Sequence, residues 1–463
     1  MALTKVFSPM LDLRPDPAQA DTNTAAGIES LNDTIDAPVS GPNGQANTAY
    51  GYQALKSNTV GYANTAIGYK ALATAATLDN TAQTAIGAHA LENSTTGGSN
   101  TAVGHDACFK NTTGSANTVF GKGALYSNNT GSYNVAIGLD AFGTGTYPAA
   151  GKSGDFNVAI GVNAMTQAIA SDDNVAIGFE ASIAHTTLSN TVSVGSGALR
   201  GDPNLTVTNN ATGTTAVGYR AGYTAGAAFN NNTLLGAYSG YFGATGDQNV
   251  AVGTSALYGA SGTQAFDQNV AVGFQSMYSA SSASKNVAVG QSSLYSAGNG
   301  SNHVAVGFEA LYTSGNGSQN NTAVGYTAGR DISTGDNNTC LGNAAGTSTS
   351  PFNIVTENNR VVVGDSNVTN AYIQVAWTVV SDLRDKVVLG EVPHGLDFVT
   401  QLKPIKYQFK QHRNSDVAHG SVKYGFGAQD ILALEGDAPV IVDTEIEDKL
   451  KITESHLVPI LVK

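Results

Sequence analysis

The stretch NVAIGLDAF, residues 134–142, sets a large β-branched side chain on either side of an alanine and closes on a glycine. The pattern returns as NVAIGVNAM at 157–165, NVAIGFEAS at 174–182, NVAVGTSAL at 249–257 and NVAVGFQSM at 269–277. Anchored on its glycine, the series runs through Gly51, Gly68, Gly87, Gly104, Gly121, Gly138, Gly161, Gly178, Gly195, Gly218, Gly236, Gly253, Gly273, Gly290, Gly307, Gly325, Gly342 and Gly364. Most steps are 17 residues and the rest 18 to 23. That is the length of one coil rather than of a domain. Stretches such as GTGTYPAAGKSGDF (143–156) and GDPNLTVTNNATG (201–213) fall between motifs, where they read as loops protruding from a regular stack.

Within a copy, Val135 and Ile137 alternate with Ala136 and Gly138, the period of 2 that marks a strand. The expectation is that the large side chains fill the coil interior while the Ala/Gly face lets a second sheet or chain approach. After the glycine, the x-x-Ala-Leu segment reads as a second short strand. A turn such as YSNNTGSYN (126–134) then leads to the next copy. A coil this short buries little alone and must stack on its neighbours, which makes the array quasi-one-dimensional. Its thin Ala/Gly interior points to neighbouring chains completing the burial in a closed symmetric oligomer. The fold class expected is therefore mostly β: a trimeric parallel β-roll or solenoid of about eighteen 17-residue coils, with a small C-terminal α+β domain.

The bulk composition suits stacked strands and turns. Charged residues make up 12% of the 463 positions, against roughly 25% in ordinary soluble domains, while glycine contributes 54 and tryptophan 1. The net charge of −13 argues against nucleic acid or an anionic membrane as a partner. The opening MALTKVFSPMLDLRPDPAQ lacks the apolar core of a secretory signal, and no run of ~20 apolar residues occurs, so no membrane insertion is expected. Cys108 and Cys340 stand in separate repeats at positions otherwise held by small or aliphatic residues, and read as packed thiols rather than as a disulfide or a metal site.

NTAIGYKAL (64–72), NTAVGYTAG (321–329) and HVAVGFEAL (303–311) resemble the head repeats of trimeric autotransporter adhesins. That resemblance, over about residues 47–366, implies left-handed parallel β-rolls wound as homotrimers. The period here is longer than in those heads. An adhesin of that family also carries a secretion signal and a C-terminal membrane barrel, neither of which this sequence displays.

Residues 47–366 hold 26 charged side chains in 320 positions, whereas 381–463 hold 23 in 83, so a new domain is expected near 380. In it, IKYQF suggests a strand, while GLDFVTQL and DILALE suggest short helices. Four segments in order resemble the C-terminal intramolecular chaperone of phage tailspikes and tail fibres, the endosialidase-type autoprotease family. They are Ser381, Asp382, Arg384 and Lys386 of SDLRDK, then GLDFVTQLKPIKYQF (395–409), GFGAQD (425–430) and LVPILVK (457–463). The resemblance implies a module that assembles the trimer and then cuts the chain before its serine, here the Val380–Ser381 bond, with Lys386 as the partner of Ser381 and Asp382 and Arg384 as supporting motif residues. A serine hydroxyl does need a neighbouring base, and a lysine serves only if desolvation lowers its pKa. The family continues past LVPxLVK into a coiled coil, whereas this sequence stops at Lys463, so an uncleaved permanent cap is the competing expectation.

Other candidates are weaker. GTYPAAGKS (145–153) has its glycines one residue too far apart for a phosphate loop. Tyr126, Tyr258, Tyr278, Tyr295 and Tyr312 each follow a motif glycine by five residues, so they read first as a stabilising aromatic ladder and second as a strip for sugar rings, with Tyr147 a further receptor contact. The eight histidines show no ligand spacing, and His303 simply takes the motif asparagine's place; no metal and no cofactor are expected.

The expected organisation is a virion-attachment segment at 1–46, in which TAAGIESLNDTID is a candidate short helix, a β-roll shaft at 47–366, a connector at 367–380 and a chaperone-like domain at 381–463. The expected function is that of a homotrimeric phage tail fibre, tailspike-like, made in the host cytoplasm and carried on the virion. Its partners would be baseplate or tail proteins at the N-terminus and a host glycan or protein receptor. A bacterial surface adhesin, a glycan-degrading tailspike and an ice-binding solenoid are the alternatives.

Overall fold

A computed structural model describes residues 23–31, 44–75, 81–143, 152–201, 210–226, 229–243, 245–260, 265–315, 317–374, 381–410, 415–445 and 450–462. The chain forms two compact units, residues 1–365 and 366–463.

The first unit is a β-solenoid. Nineteen three-residue strands stack in one parallel sheet, each paired in register with the next copy, so that Val135–Ile137 lies between Thr118–Phe120 and Val158–Ile160. Alanine stacks on alanine through Ala136, Ala159 and Ala176. One rung more is present than the glycine series suggested. Thr24–Ala26 pairs with Thr48–Tyr50, so TAAGIESL is a coil and not the helix expected of it. Its Gly27 precedes Gly51 by 24 residues, a step long enough to hide the repeat.

The alternation predicted in each strand is present, but its sense is the reverse of that expected. Ala136 is fully buried, whereas Ile137 is 37% exposed. The reason is the width of the coil. Leu125, Phe142 and Met165, four residues after their glycines, are fully buried and fill the interior from the opposite wall. Across so narrow a space the strand can present only a methyl group. Where the opposite wall is stripped back to Gly222 and Gly240, the strand carries Leu234 inward instead. A Cβ added at either glycine would meet the Leu234 methyls at 3.0 and 2.9 Å. Interior volume is thus conserved between facing positions, as close packing demands.

The segment after each glycine is a turn rather than the second strand expected. Asp140 and Phe142 take φ of 51° and 47°, left-handed values that a strand cannot absorb. These turns still pair with their neighbours, Leu125 N–H donating to Ala141 O at 2.9 Å and Phe142 N–H to Ala164 O at 2.7 Å. The motif glycine is fixed on two counts. Gly138 has φ 132°, and a Cβ there would stand 2.6 Å from the carbonyl oxygen of Gly161 in the next rung.

A buried asparagine ladder runs beside the strands. Asn117 N–H donates to Asn100 Oδ1 at 2.9 Å, while its own Oδ1 accepts from the Asn134 N–H at 3.0 Å. Its Nδ2 donates to Asn100 Oδ1 at 3.0 Å and to Gly131 O at 2.9 Å. The arrangement repeats through Asn134, Asn157 and Asn174 and again from Asn232 to Asn286. Each amide replaces the water that a buried turn backbone would otherwise lose. At His303 the imidazole takes the same place, with Nδ1 accepting from Asn321 N–H at 3.2 Å and Nε2 against Ser318 Oγ at 3.2 Å.

The second unit is α+β, as expected. It contains helices Leu396–Gln401, Ala428–Glu435 and Leu457–Val462, a hairpin of Pro404–Lys410 with Ala418–Phe426, and a short pair Val442–Asp443 with Lys451–Ile452. Phe398, Ile431, Ile441, Val442, Leu457 and Ile460 form its core. That core is small, and Val387, Leu389 and Tyr424 stand 85%, 95% and 81% exposed.

Candidate functional site

Because alanine faces inward, the third residue of each strand forms an outward row along the sheet: Tyr50, Ile67, Ile86, Phe120, Ile137 and Ile177 in the first half, then Val217, Leu235, Val289, Val324 and Leu341. Each is between about a third and two-fifths exposed, and successive members are in register on adjacent rungs. The row is apolar along its length and stays partly open to solvent in the single chain.

The tyrosines do form a ladder. Tyr258, Tyr278, Tyr295 and Tyr312 stack with centroids 4.8, 5.1 and 4.9 Å apart and ring planes within 14°. Tyr241 and Tyr223 extend it at 5.0 and 5.1 Å. These two also follow their glycines by five residues, the same signal that marked the others. Arg220 caps one end, 4.9 Å above Tyr223, and Arg330 the other, 5.4 Å above Tyr312. Ring faces are thereby occupied by neighbouring rings or guanidinium groups, which leaves edges and hydroxyls outward. Burial, reinforced by adjacent tyrosines, pushes the Tyr258 and Tyr295 phenols upward. Tyr126 lies apart, stacked on Phe109 at 5.1 Å. Tyr147 falls outside the described residues.

Ser381 and Lys386 are brought together. The turn Leu383–Asp385 is capped by the Asp382 carboxylate, which accepts from Arg384 N–H at 2.9 Å, and it folds Lys386 back so that Nζ donates to Ser381 Oγ at 2.5 Å. The Arg384 side chain holds the Asp382 carboxyl below its ordinary range. Both Ser381 and Lys386 are exposed in the single chain, so solvent reaches the Lys386 side-chain nitrogen. Val380 lies outside the described residues.

One buried group was not anticipated. Lys152, the lysine of GTYPAAGKS, lies in the coil interior, donating to Thr166 O at 2.6 Å and to Phe142 O at 3.4 Å, with its Nζ 5.1 Å from the Phe142 ring centroid. Burial pushes it down to about 7. Cys108 and Cys340 are buried free thiols, both raised by burial.

Among the described residues no cluster of three or more histidine, cysteine or acidic side chains is placed to hold a metal, and no helix is long and apolar enough to cross a membrane. No protein-family model and no curated protein matches the chain.

Proposed function

We propose that this chain is the shaft and cap of a homotrimeric fibre of the phage tail-fibre or tailspike type, which attaches a virion to its host. The observation that carries the reading is the outward row from Tyr50 to Leu341, an apolar sheet face that a soluble rod must cover. Three copies meeting along an axis cover it with identical rows. A β-branched face packed on its own symmetry mate has the in-register repeat that a closed assembly requires. Resemblance to adhesin heads and to the tailspike chaperone supports trimers over other closed states. The exposed apolar residues of the second unit, Val387, Leu389 and Tyr424 among them, fit a module that finishes folding only among copies of itself.

In this reading the C-terminal unit drives assembly. Neighbouring copies then strip water from Lys386, whose neutral amine takes the Ser381 Oγ proton as Oγ attacks the Val380 carbonyl carbon. The Val380 C–Ser381 N bond breaks as Lys386 returns that proton to the departing nitrogen, and water hydrolyses the resulting ester to a Val380 carboxylate and a free Ser381 hydroxyl. The test is sedimentation equilibrium on the 47.2 kDa chain beside an Ile137→Asp/Ile177→Asp variant. The expected result is a threefold mass for the wild type and a shift to lower mass for the variant. A wild-type monomer at micromolar concentration refutes the proposal. On denaturing gels, Ser381→Ala is expected to abolish any release of the C-terminal unit; identical full-length bands for both proteins remove self-cleavage.

A further inference from the structure

In the described coils from Ala46 to Asn359 the residue before the motif asparagine or its substitute sits in left-handed backbone, and the sequence fills it with Ala82, Ser99, Ala116, Asp173, Asn190 or other small or polar residues. At two successive rungs it holds Tyr133 and Phe156, with φ 60° and 59°. These are the only aromatic residues at this position among the described residues. Bulky side chains on left-handed backbone also occur inside the coil, at Phe142 and Met165; what sets Tyr133 and Phe156 apart is that their aromatic rings are on the outside. Both rings stand clear of the protein, 59% and 56% exposed, and they stack at 4.9 Å with planes 2° apart.

The stack differs from the tyrosine ladder in having an open end. One face of Tyr133 lies on Phe156, but the other looks along the solenoid over Ala116 and then Ser99 in the same column. With rungs about 4.8 Å apart, the small side chain of Ala116 leaves a shelf roughly as deep as one stacked ring. Polar groups fringe it. The Ser115 hydroxyl accepts from Gly98 N–H at 3.1 Å, the Ser132 hydroxyl accepts from Ser115 N–H at 3.0 Å, and the Asp155 carboxylate accepts from Ser132 N–H at 2.6 Å. Asp172, whose carboxylate accepts from Asp155 N–H at 2.8 Å, and the exposed Asp173 add negative charge beside Phe156.

We infer that Tyr133 is the platform of a saccharide-binding shelf, stacking the C–H face of a neutral pyranose over Ala116 while the Ser115 and Ser132 hydroxyls meet the sugar's hydroxyl edge. The slightly positive C–H face suits the negative face of an aromatic ring. The three aspartates disfavour uronic or sialic acids. The inference names the ligand class for the attachment reading and rests on it.

The test is saturation-transfer difference NMR on the full chain with neutral oligosaccharides (cellotetraose, maltotetraose, mannotetraose and chitotetraose) and with two anionic ones, sialyllactose and tetragalacturonate. Expected is signal from at least one neutral saccharide, weakened by about fivefold or more in Tyr133→Asn and retained in Tyr133→Phe. The asparagine variant relieves the left-handed strain, so its thermal midpoint should stay level or rise. This separates loss of a ligand contact from loss of fold. Undiminished binding by Tyr133→Asn, no signal from any neutral saccharide, or signal from the anionic pair alone overturns the inference. The mass measurement is independent of it: a monomer that binds through Tyr133 sinks the trimer and not the shelf, and a trimer without saccharide signal does the reverse.

Discussion

Replacing Asn117 with alanine isolates the asparagine ladder from the rest of the coil. The side chain is fully buried, and its loss leaves the Asn134 N–H, which donates to Oδ1, without a partner; the Gly131 carbonyl, which accepts from Nδ2, keeps the Asn128 Nδ2 at 2.8 Å. Asn134 Nδ2 keeps its bond to Gly154 O, and Asn100 Oδ1 keeps the Asn117 backbone N–H. One buried group stripped of its partner gives a cost of about 1–3 kcal/mol, concentrated on one rung. An Asn117→Leu variant refills the volume and strands the same N–H, so it should recover little. Because repeat arrays lose all-or-none cooperativity, the readout is native-state hydrogen exchange of amides 131–135 rather than a global midpoint. Both variants should lower their protection by a factor matching at least ~1 kcal/mol, while amides near Val287 are unaffected. Protection within about 0.5 kcal/mol of wild type at 131–135 refutes the role assigned to the ladder.

Three further outcomes follow from the same structure. Lys152 is held down to about 7 against 10.5 when unfolded, so between these pH values the unfolded chain binds a proton that the folded one does not, and local stability should rise with pH across that window by ~5 kcal/mol; Lys152→Met should abolish the rise in exchange measured on rungs 128–166. His303, lowered by burial to about 4 from 6.5, works in the acid range: stability of its rung should fall by about 3 kcal/mol as pH drops from 6.5 to 4 and then level off, and His303→Asn should flatten the profile. Gly138→Ala places a Cβ 2.6 Å from the Gly161 carbonyl oxygen at a φ of 132°, which should cost more than about 3 kcal/mol and open rungs 121–161 to limited proteolysis, whereas intact resistance would show that the rungs separate freely.

The period was legible because the motif glycine is fixed twice in most copies, by φ and by contact with the next rung, so the motif returns even where a longer loop stretches the step beyond 17 residues. Which strand face lies inside was not legible. Alternation shows that Val135 and Ile137 share a face, but the choice of face depends on what the opposite wall contributes, and Phe142 and Met165 fill that space from turns that a strand pattern does not describe. The exchange of Leu234 for alanine opposite Gly222 and Gly240 was visible in the sequence as a compensating pair, and it is the signal that could have fixed the orientation. Asn117 and its equivalents look like turn formers when read singly; only stacking turns their amides into a continuous buried ladder. The five-residue spacing of Ser381 and Lys386 did not by itself bring them together. The Asp382 cap and the turn it starts accomplish that. Tyr133 and Phe156 stand in stretches that read only as a turn and a loop, because left-handed backbone leaves no mark in a hydropathy pattern.

The most direct test of the inside-out coil and of its covering by sister chains is oxidative cross-linking of two variants that each add one cysteine, Ala136→Cys and Ile137→Cys, with the buried Cys108 and Cys340 as silent internal controls. Ile137→Cys should yield disulfide-linked chains on a non-reducing gel, while Ala136→Cys should stay unlinked and unlabelled until the protein is denatured. Cross-linking through position 136, or an Ile137→Cys chain that is labelled freely and never linked, would contradict it.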